Sequence, residues 1–161
     1  SWTQVPGASA STTLSANGTH TFEYRAMDNA ANLEETHTLN LNKDDSLPTN
    51  PTTFTETACG AASGVPVAGC SDPAFTWSAG GDGTSGVAGY GYYFGTDTNG
   101  ENANTFLTGQ SYDPGALPGG TYYLRIRTQD EAGNWSAWET GFIFVADPPG
   151  SEILYFPMLF R

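Results

Sequence analysis

Apolar and polar residues alternate most regularly in the stretch from Gly120 to Val145, which reads GTYYLRIRTQDEAGNWSAWETGFIFV. Over residues 122–127 every second side chain is apolar, and this period of two predicts a β-strand with one buried face. Residues 130–134, DEAGN, interrupt the pattern with a turn, in which the aspartate can accept backbone N–H bonds and the glycine can take a positive φ. The apolar run at 142–145 predicts a second strand. The stretch is therefore a predicted antiparallel hairpin.

The same unit occurs earlier in the chain. Residues 18–34, GTHTFEYRAMDNAANLE, align without a gap on residues 120–136, and six of the seventeen positions are identical. One difference affects the turn, because Ala31 stands where Gly133 stands and a left-handed backbone at alanine costs about 1–2 kcal/mol. We therefore expect the first turn to differ in detail from the second. The residues predicted to form the two turns are Asp28, Asn32, Asp130, Gly133 and Asn134.

A repeated supersecondary unit in a chain of 161 residues indicates tandem homologous modules. Both copies resemble the penultimate strand, turn and last strand of bacterial immunoglobulin-like and fibronectin type III-like modules, which often carry an (Y/I)RxxDxAGNxS stretch there. The resemblance covers residues 54–147 as a whole module and residues 1–43 as the back part of one. It implies an all-β fold, an antiparallel β-sandwich, in a secreted, multi-module surface protein. It implies no particular activity, because such modules are scaffolds for many functions.

The chain is predicted to divide into four segments. Residues 1–43 form a partial module with back strands only, since a complete sandwich of this kind has about seven strands and about 100 residues. Residues 44–53 contain two prolines and form a linker, and residues 54–147 form the complete module. Residues 148–161 form an apolar C-terminal tail. The predicted core of the complete module comprises Phe75, Trp77, Tyr122, Leu124, Ile126 and Phe144.

The tail contains an unbroken apolar run from Ile153 to Phe160. A bilayer span needs about 20 residues, so no membrane span is expected, whereas apolar residues on both faces are typical of a fully buried strand. A module that lacks strands leaves unpaired backbone groups, which recruit a strand from elsewhere. We therefore expect self-association, with this strand inserted into the partial module of the next subunit, or alternatively a tail that folds back on its own module. The predicted assembly strand comprises Ile153, Leu154, Tyr155, Phe156, Met158, Leu159 and Phe160.

The charge and the cysteine content of the chain restrict its expected partners and location. The net charge of −12, from 17 acidic and 5 basic residues, argues against nucleic acid and anionic membrane surfaces as partners, because little could neutralise phosphate groups. Cys59 and Cys70 have few basic residues nearby to activate a thiolate, so we predict a disulfide and an oxidising, extracellular location. Without an initiating Met, a signal peptide or a transmembrane run, we expect a mature or trimmed product.

The sequence offers little catalytic chemistry. His20 and His37 lack a nearby Ser or Cys in a nucleophile context, so no enzyme is predicted, and the paired cysteines leave no zinc site. Calcium is the one cofactor that the sequence supports, because Asp82 and Asp97 offer oxygen ligands in loops. Aspartate is, however, also a preferred turn residue, so both alternatives stay open.

These features predict a non-enzymatic extracellular structural module, a subunit of a fibre or surface layer that assembles head to tail by strand exchange. The alternative is an accessory carbohydrate-binding or spacer module of a secreted hydrolase. Its polysaccharide contacts would be exposed aromatic residues, with Tyr93 and Trp135 as the main candidates. The competing interpretation is that such aromatics fill the core or pair across the sheet.

Overall fold

The computed structural model describes residues 3, 5, 7, 9, 11–147 and 150, which contain β-strands and no helix. All strand pairs are antiparallel, so the predicted all-β class is confirmed. The chain divides into two compact units, Ser1–Ser46 and Leu47–Arg161, which we call unit one and unit two. The predicted assembly strand, residues 153–160, lies outside the described residues.

Unit one contains a two-stranded antiparallel sheet, formed by β1 (Gly18–Tyr24) and β2 (His37–Lys43). Successive side chains point to opposite faces of a strand, so threonines of β1 and asparagines of β2 share one polar face. In each pair the threonine hydroxyl donates to the side-chain oxygen Oδ1 of the asparagine over 2.8 Å. The two pairs are Thr19–Asn42 and Thr21–Asn40.

Seven strands are described in unit two: β3 (Phe54–Glu56), β4 (Phe75–Trp77), β5 (Val87–Gly95), β6 (Phe106–Leu107), β7 (Ser111–Tyr112), β8 (Gly120–Asp130) and β9 (Glu139–Ala146). One sheet has the order β3-β4-β7, and the other has the order β6-β5-β8-β9. The predicted hairpin is formed by β8 and β9. β8 is the longest of these strands, and it pairs with β5 on one side and with β9 on the other.

The two sheets of unit two face each other across an aromatic core. The ring centroid of Phe75 in β4 lies 5.4–5.9 Å from those of three phenylalanines in the four-stranded sheet, and Trp77 lies 5.8 Å from a tyrosine of β5. Leu124 and Ile126 of β8 are completely buried, and each such burial contributes about 1.5–3 kcal/mol. The arrangement is sandwich-like. Five of the six predicted core residues are buried, and Tyr122 is partly buried.

Unit two begins before the predicted module boundary. Thr49 exchanges two backbone hydrogen bonds with Gly81, at 2.7 and 3.1 Å. The side-chain oxygen of Asn50 accepts hydrogen bonds from the hydroxyls of Thr128, at 3.1 Å, and Ser136, at 2.6 Å. Thr128 is fully buried, and a buried hydroxyl needs a partner. Part of the predicted linker is therefore fixed to the module, because it satisfies a polar group inside it.

The predicted disulfide is confirmed. Cys59 and Cys70 are bonded, with their Cα atoms 6.0 Å apart, and they close the loop between β3 and β4. A disulfide that closes a loop of this length stabilises a fold by about 2–3 kcal/mol, chiefly by restricting the unfolded chain. The loop is called the disulfide loop below.

The disulfide loop covers the outer edge of β9. The N–H of Gly64 donates to the carbonyl oxygen of Ile143 over 2.8 Å, and the N–H of Ile143 donates to Ser63 Oγ over 3.0 Å. Further along the same edge, the N–H of Asp147 donates to the carbonyl oxygen of Cys70 over 2.8 Å. An uncovered sheet edge presents unpaired backbone groups to other chains. The loop therefore protects the β9 edge of the four-stranded sheet from edge pairing.

We expect the double substitution Cys59→Ala and Cys70→Ala to lower the free energy of unfolding of unit two by about 2–3 kcal/mol. The amide hydrogens of Ile143 and Asp147 should also exchange faster, because the released loop no longer accepts their hydrogen bonds. Urea denaturation and hydrogen exchange by NMR check both effects. The amide of Leu124, in the central strand, is the internal control. Unchanged protection of Ile143 and Asp147 relative to Leu124 would contradict the covering role.

Candidate functional site

The two predicted turns have matching hydrogen bonds. In the first, the carboxylate of Asp28 accepts the N–H of Ala30 and both the N–H and the side-chain amide of Asn32, at 2.7–2.9 Å. In the second, the carboxylate of Asp130 accepts the N–H and the side-chain amide of Asn134, at 2.7 and 2.8 Å. In each turn the aspartate N–H also donates to the asparagine carbonyl. Hydrogen bonds from Asn32 hold the pKa of Asp28 below its ordinary value.

The two turns share their main hydrogen bonds but differ in detail. Only the carboxylate of Asp28 also accepts the N–H of the residue two positions later, Ala30, and Ala31 has a positive φ of 68°, compared with 94° for Gly133. In both turns the N–H of this residue donates to the aspartate carbonyl oxygen, at 3.0 and 3.1 Å. A left-handed alanine costs about 1–2 kcal/mol. The three hydrogen bonds to the carboxylate of Asp28 hold the alanine in this conformation.

A buried carboxylate that was not predicted anchors the disulfide loop. Glu56, at the end of β3, is only 2% exposed, and its carboxylate accepts N–H bonds of 2.8–3.2 Å from four residues. These donors are Ala58, Cys59, Ala61 and Ala74. Three of them lie at the start of the loop, and the fourth immediately precedes β4. One carboxylate thus ties both ends of the loop to β3.

The pKa of Glu56 reflects two opposing effects. Burial is the largest single effect and raises the pKa, but the N–H bonds, led by that of Ala61, together lower the pKa below its ordinary value. A signal for this residue exists in the sequence. Glu56 shares the inward face of β3 with Phe54, at a position where a period of two predicts an apolar residue. A charged residue there indicates a buried polar network.

The two calcium candidates are turn residues in the structure. Asp82 Oδ2 accepts the N–H groups of residues 84–86 at 2.8–3.0 Å, and these bonds, that of Gly86 first, lower the pKa of Asp82. Asp97 Oδ1 accepts the N–H of Asn99 at 2.9 Å. These hydrogen bonds stabilise the two loops, as expected of aspartates in turns. Calcium binding stays a prediction.

The two glycan-contact candidates lie on the outer face of the four-stranded sheet. Tyr93 occupies β5, but its ring packs against the loop that follows this strand. Its hydroxyl oxygen accepts the N–H of Asp97 at 3.2 Å, and a Cβ on Gly95 or Gly100 would overlap the ring. The ring of Tyr93 therefore packs partly against its own loop, and a glycan contact at this residue stays a prediction.

Trp135 packs over a glycine of β5. A Cβ at Gly91 would lie 3.0 Å from the indole ring and 3.1 Å from Arg127 Nε. Arg127 Cζ lies 4.0 Å from the ring centroid of Trp135 and 4.8 Å from that of Trp138, and Phe106 meets Trp135 edge to face at 6.0 Å. A cation–π contact contributes about 0.5–2 kcal/mol. We call these four side chains, Phe106, Arg127, Trp135 and Trp138, the arginine–aromatic face.

The face of unit one that lies opposite the Thr–Asn pairs is mostly apolar. It carries Phe22, Tyr24, Leu39 and Leu41 together with His20 and His37, and we call it the apolar face of unit one. Tyr24, Leu39 and Leu41 are 41–56% exposed, and Met27 and Leu33, which form a bridge at the adjoining turn, are 48% and 55% exposed. Contiguous exposed apolar patches on soluble proteins mark interaction sites. This face is therefore a candidate partner site.

No protein-family model matches the sequence, and none of the curated proteins matches it significantly. Within the described residues, no helix is long and apolar enough to cross a membrane. Two surfaces of the protein bear on its function, the apolar face of unit one and the arginine–aromatic face of unit two.

We expect Gly133→Ala to lower the free energy of unfolding of unit two by about 1–2 kcal/mol, because an alanine must then take the left-handed conformation. The reverse change, Ala31→Gly, should slow hydrogen exchange in β1 and β2, since it removes the strain of the first turn. Urea denaturation and hydrogen exchange provide the measurements. Ala132→Ser, at an exposed neighbouring position, is the control and should change the free energy by less than about 0.5 kcal/mol. An effect of Gly133→Ala no larger than this control would count against the turn geometry.

Because of Glu56, we expect the folded state of unit two to lose stability in acid. Because the folded pKa of Glu56 lies below that of an unfolded glutamate, about 4.3, the ionised carboxylate stabilises the fold above about pH 4.3, and this stabilisation is lost as the pH falls through the folded pKa. We expect Glu56→Gln to lower the free energy of unfolding at neutral pH by about 1–3 kcal/mol, since one acceptor oxygen is lost. The variant should also lose less stability on acidification.

Urea titrations over a series of pH values measure this effect. Glu131→Gln, at an exposed position in the second turn, removes the same charge and is the matched control. If the wild type and Glu56→Gln lose stability equally on acidification, the assigned role of Glu56 is wrong.

Proposed function

We propose that the chain is a non-enzymatic extracellular structural module that assembles head to tail by strand exchange. The apolar segment 153–160 of one subunit binds unit one of the next, and the repeated contact builds a fibre or surface layer. The observation that supports this function most directly is the exposed apolar face of unit one. A sheet of two strands is at best marginally stable by itself, so such a face needs a partner.

Unpaired strand edges support the same function. Among the described residues, β1 and β2 pair only with each other, so each has one edge without a strand partner. An added strand pairs with such an edge and lays its side chains on the face of the sheet. Segment 153–160 is apolar at odd and even positions alike. Either register of the added strand therefore buries apolar side chains against unit one.

The energetics of burial also favour an exchange. Complete burial of one large apolar side chain contributes about 1.5–3 kcal/mol. The seven predicted assembly residues would together contribute more than about 10 kcal/mol, before the costs of association and ordering are subtracted. Pro157 has no N–H to donate, so it belongs at an edge, a bulge or a strand end. A head-to-tail contact of this kind repeats into a filament unless its rotation closes a ring.

The features of unit two are consistent with a scaffold role. Seven described strands in sheets of three and four match the number expected of a bacterial immunoglobulin-like or fibronectin type III-like module. The Cys59–Cys70 disulfide supports an oxidising, extracellular location. Because the disulfide loop covers the edge of β9, that edge of unit two is closed to an added strand.

The rival function, an accessory carbohydrate-binding or spacer module, has less support. Its first candidate contact, Tyr93, packs partly against its own loop at Gly95 and Gly100. Its second, Trp135, already contacts Arg127 and Phe106 through its ring. Both rings therefore already have contacts within the protein, which weakens the case for a flat stacking platform made of them.

We expect deletion of residues 151–161 to convert concentration-dependent assemblies into monomers, because the donor strand is lost. Light scattering coupled to size-exclusion chromatography, over a range of protein concentrations, measures the particle mass. Assemblies that persist unchanged without the tail would show that the proposed function is wrong.

Two matched variants on β2 test unit one as the acceptor of the strand. Leu39→Asp introduces a negative charge on the apolar face of unit one, whereas Asn40→Asp introduces the same charge on the opposite, polar face of the same strand. We expect the first variant to abolish assembly and the second to leave the particle mass nearly unchanged. Equal effects of the two variants would indicate a response to net charge and would contradict strand docking.

A further inference from the structure

The charge of unit two is distributed unevenly. Between Leu47 and Asp147 the only basic side chains are Arg125 and Arg127, and every other charged side chain is acidic. Both arginines occupy β8, at positions that alternate with its fully buried residues, so both lie on the outer face of the four-stranded sheet. Their cross-strand partners on β5 are Tyr93 and Gly91. All basic charge in this range is thus concentrated at one place.

Arg125 is already engaged by the protein. Its Nη1 donates to the carbonyl oxygen of Gly100 over 2.9 Å and lies 3.8 Å from Glu101 Oε1. The residue is only 9% exposed. Arg125 therefore holds the loop that follows β5 and has little capacity for an external ligand.

Arg127 differs from Arg125 in this respect. Among the described residues its guanidinium forms no hydrogen bond and no ion pair, and its Nε, like that of Arg125, is buried without a partner. Its central carbon instead lies over the rings of Trp135 and Trp138. Stacking of this kind occupies the faces of the planar group and leaves the terminal Nη N–H groups for in-plane hydrogen bonds, whereas the buried Nε–H does not reach an external ligand. The two indoles also hold the side chain in one orientation, which reduces the entropy that a ligand must remove.

We infer that the arginine–aromatic face is a binding site for a carboxylate carried by a sugar ring, that is, for an acidic saccharide of the uronate type. A fixed guanidinium fork matches a carboxylate with two parallel N–H···O bonds. Phe106, which is 45% exposed, meets Trp135 edge to face and offers apolar ring surface to the C–H face of a sugar. A neutral sugar would leave the guanidinium without its counter-charge.

The acidity of the surroundings restricts the ligand further. Between Leu47 and Asp147 ten acidic side chains accompany the two arginines, and Glu101 lies close to Arg125. Charges separated by more than about 8 Å are screened at physiological ionic strength, but nearer ones are not. A polymer with a charge on every residue would bring further anions next to acidic side chains. The site therefore suits a polysaccharide in which uronate residues are separated by neutral sugars.

The test uses the full chain and a defined pair of oligosaccharides. A xylo-oligosaccharide that carries one glucuronate branch is titrated into the protein, and the intrinsic tryptophan fluorescence is recorded. Unbranched xylotetraose is the neutral control, and a tetrapeptide that contains one glutamate tests for a protein carboxylate. We expect saturable binding of the branched sugar, at least tenfold tighter than binding of either control.

Variants on β8 identify the residue responsible. We expect Arg127→Gln and Arg127→Lys each to weaken binding of the branched sugar at least tenfold, since the lysine retains the charge but not the fork. Gln129→Ala, two residues along the same strand, should change the affinity by less than about twofold. Near-UV circular dichroism checks that the indoles keep their packing. If Arg127→Gln does not fold, the affinity of Arg127→Lys alone tests the role of Arg127.

Several results would overturn the inference. These are no binding of the branched sugar, equal binding of xylotetraose, equal binding of the peptide, or undiminished affinity in Arg127→Lys. The site belongs to unit two and does not require strand exchange. Failure of sugar binding with intact assembly, or the reverse, therefore separates this inference from the proposed function.

Discussion

The side-chain period of two in β8 determines both surfaces of the four-stranded sheet. β8 pairs with β5 on one side and with β9 on the other, so its register cannot change without breaking two ladders of hydrogen bonds. Leu124 and Ile126 therefore face the core, while Arg125 and Arg127 face outward. A slip of one residue would bury both arginines and expose the two aliphatic side chains. The core and the arginine–aromatic face are consequences of one constraint.

The disulfide loop shows how unit two protects that sheet. A covalent bond closes the loop, the carboxylate of Glu56 binds N–H groups at both of its ends, and Ser63 and Gly64 bond to the edge of β9. A buried carboxylate is unfavourable without such partners, so Glu56 and the loop depend on each other. The result is a sheet edge that is closed to other strands.

Unit one repeats the hairpin of unit two in a different environment. Both hairpins contain an aspartate whose carboxylate organises the turn, and both place alternate apolar residues on one face. In unit two that face packs against a three-stranded sheet. In unit one, Tyr24, Leu39 and Leu41 are exposed. Similar hairpin sequences thus form part of a core in unit two and a candidate docking surface in unit one. The difference is that only the hairpin of unit two packs against a second sheet.

The sequence by itself determined the all-β class, the long central strand, the disulfide and most of the core, because alternation, turn chemistry and cysteine pairing depend on near neighbours. It did not reveal the left-handed Ala31, the buried Glu56, the bond from Thr128 to Asn50 or the loop that packs against Tyr93. Asn50 and Thr128 are 78 positions apart in the sequence, Glu56 binds N–H groups at both ends of a loop, and the packing of Tyr93 depends on how its own loop folds back on the ring. The left-handed conformation of Ala31 depends on hydrogen bonds to the carboxylate of Asp28 that outweigh the backbone preference of alanine. Only tertiary packing, which brings such groups together and excludes water from them, could decide these features.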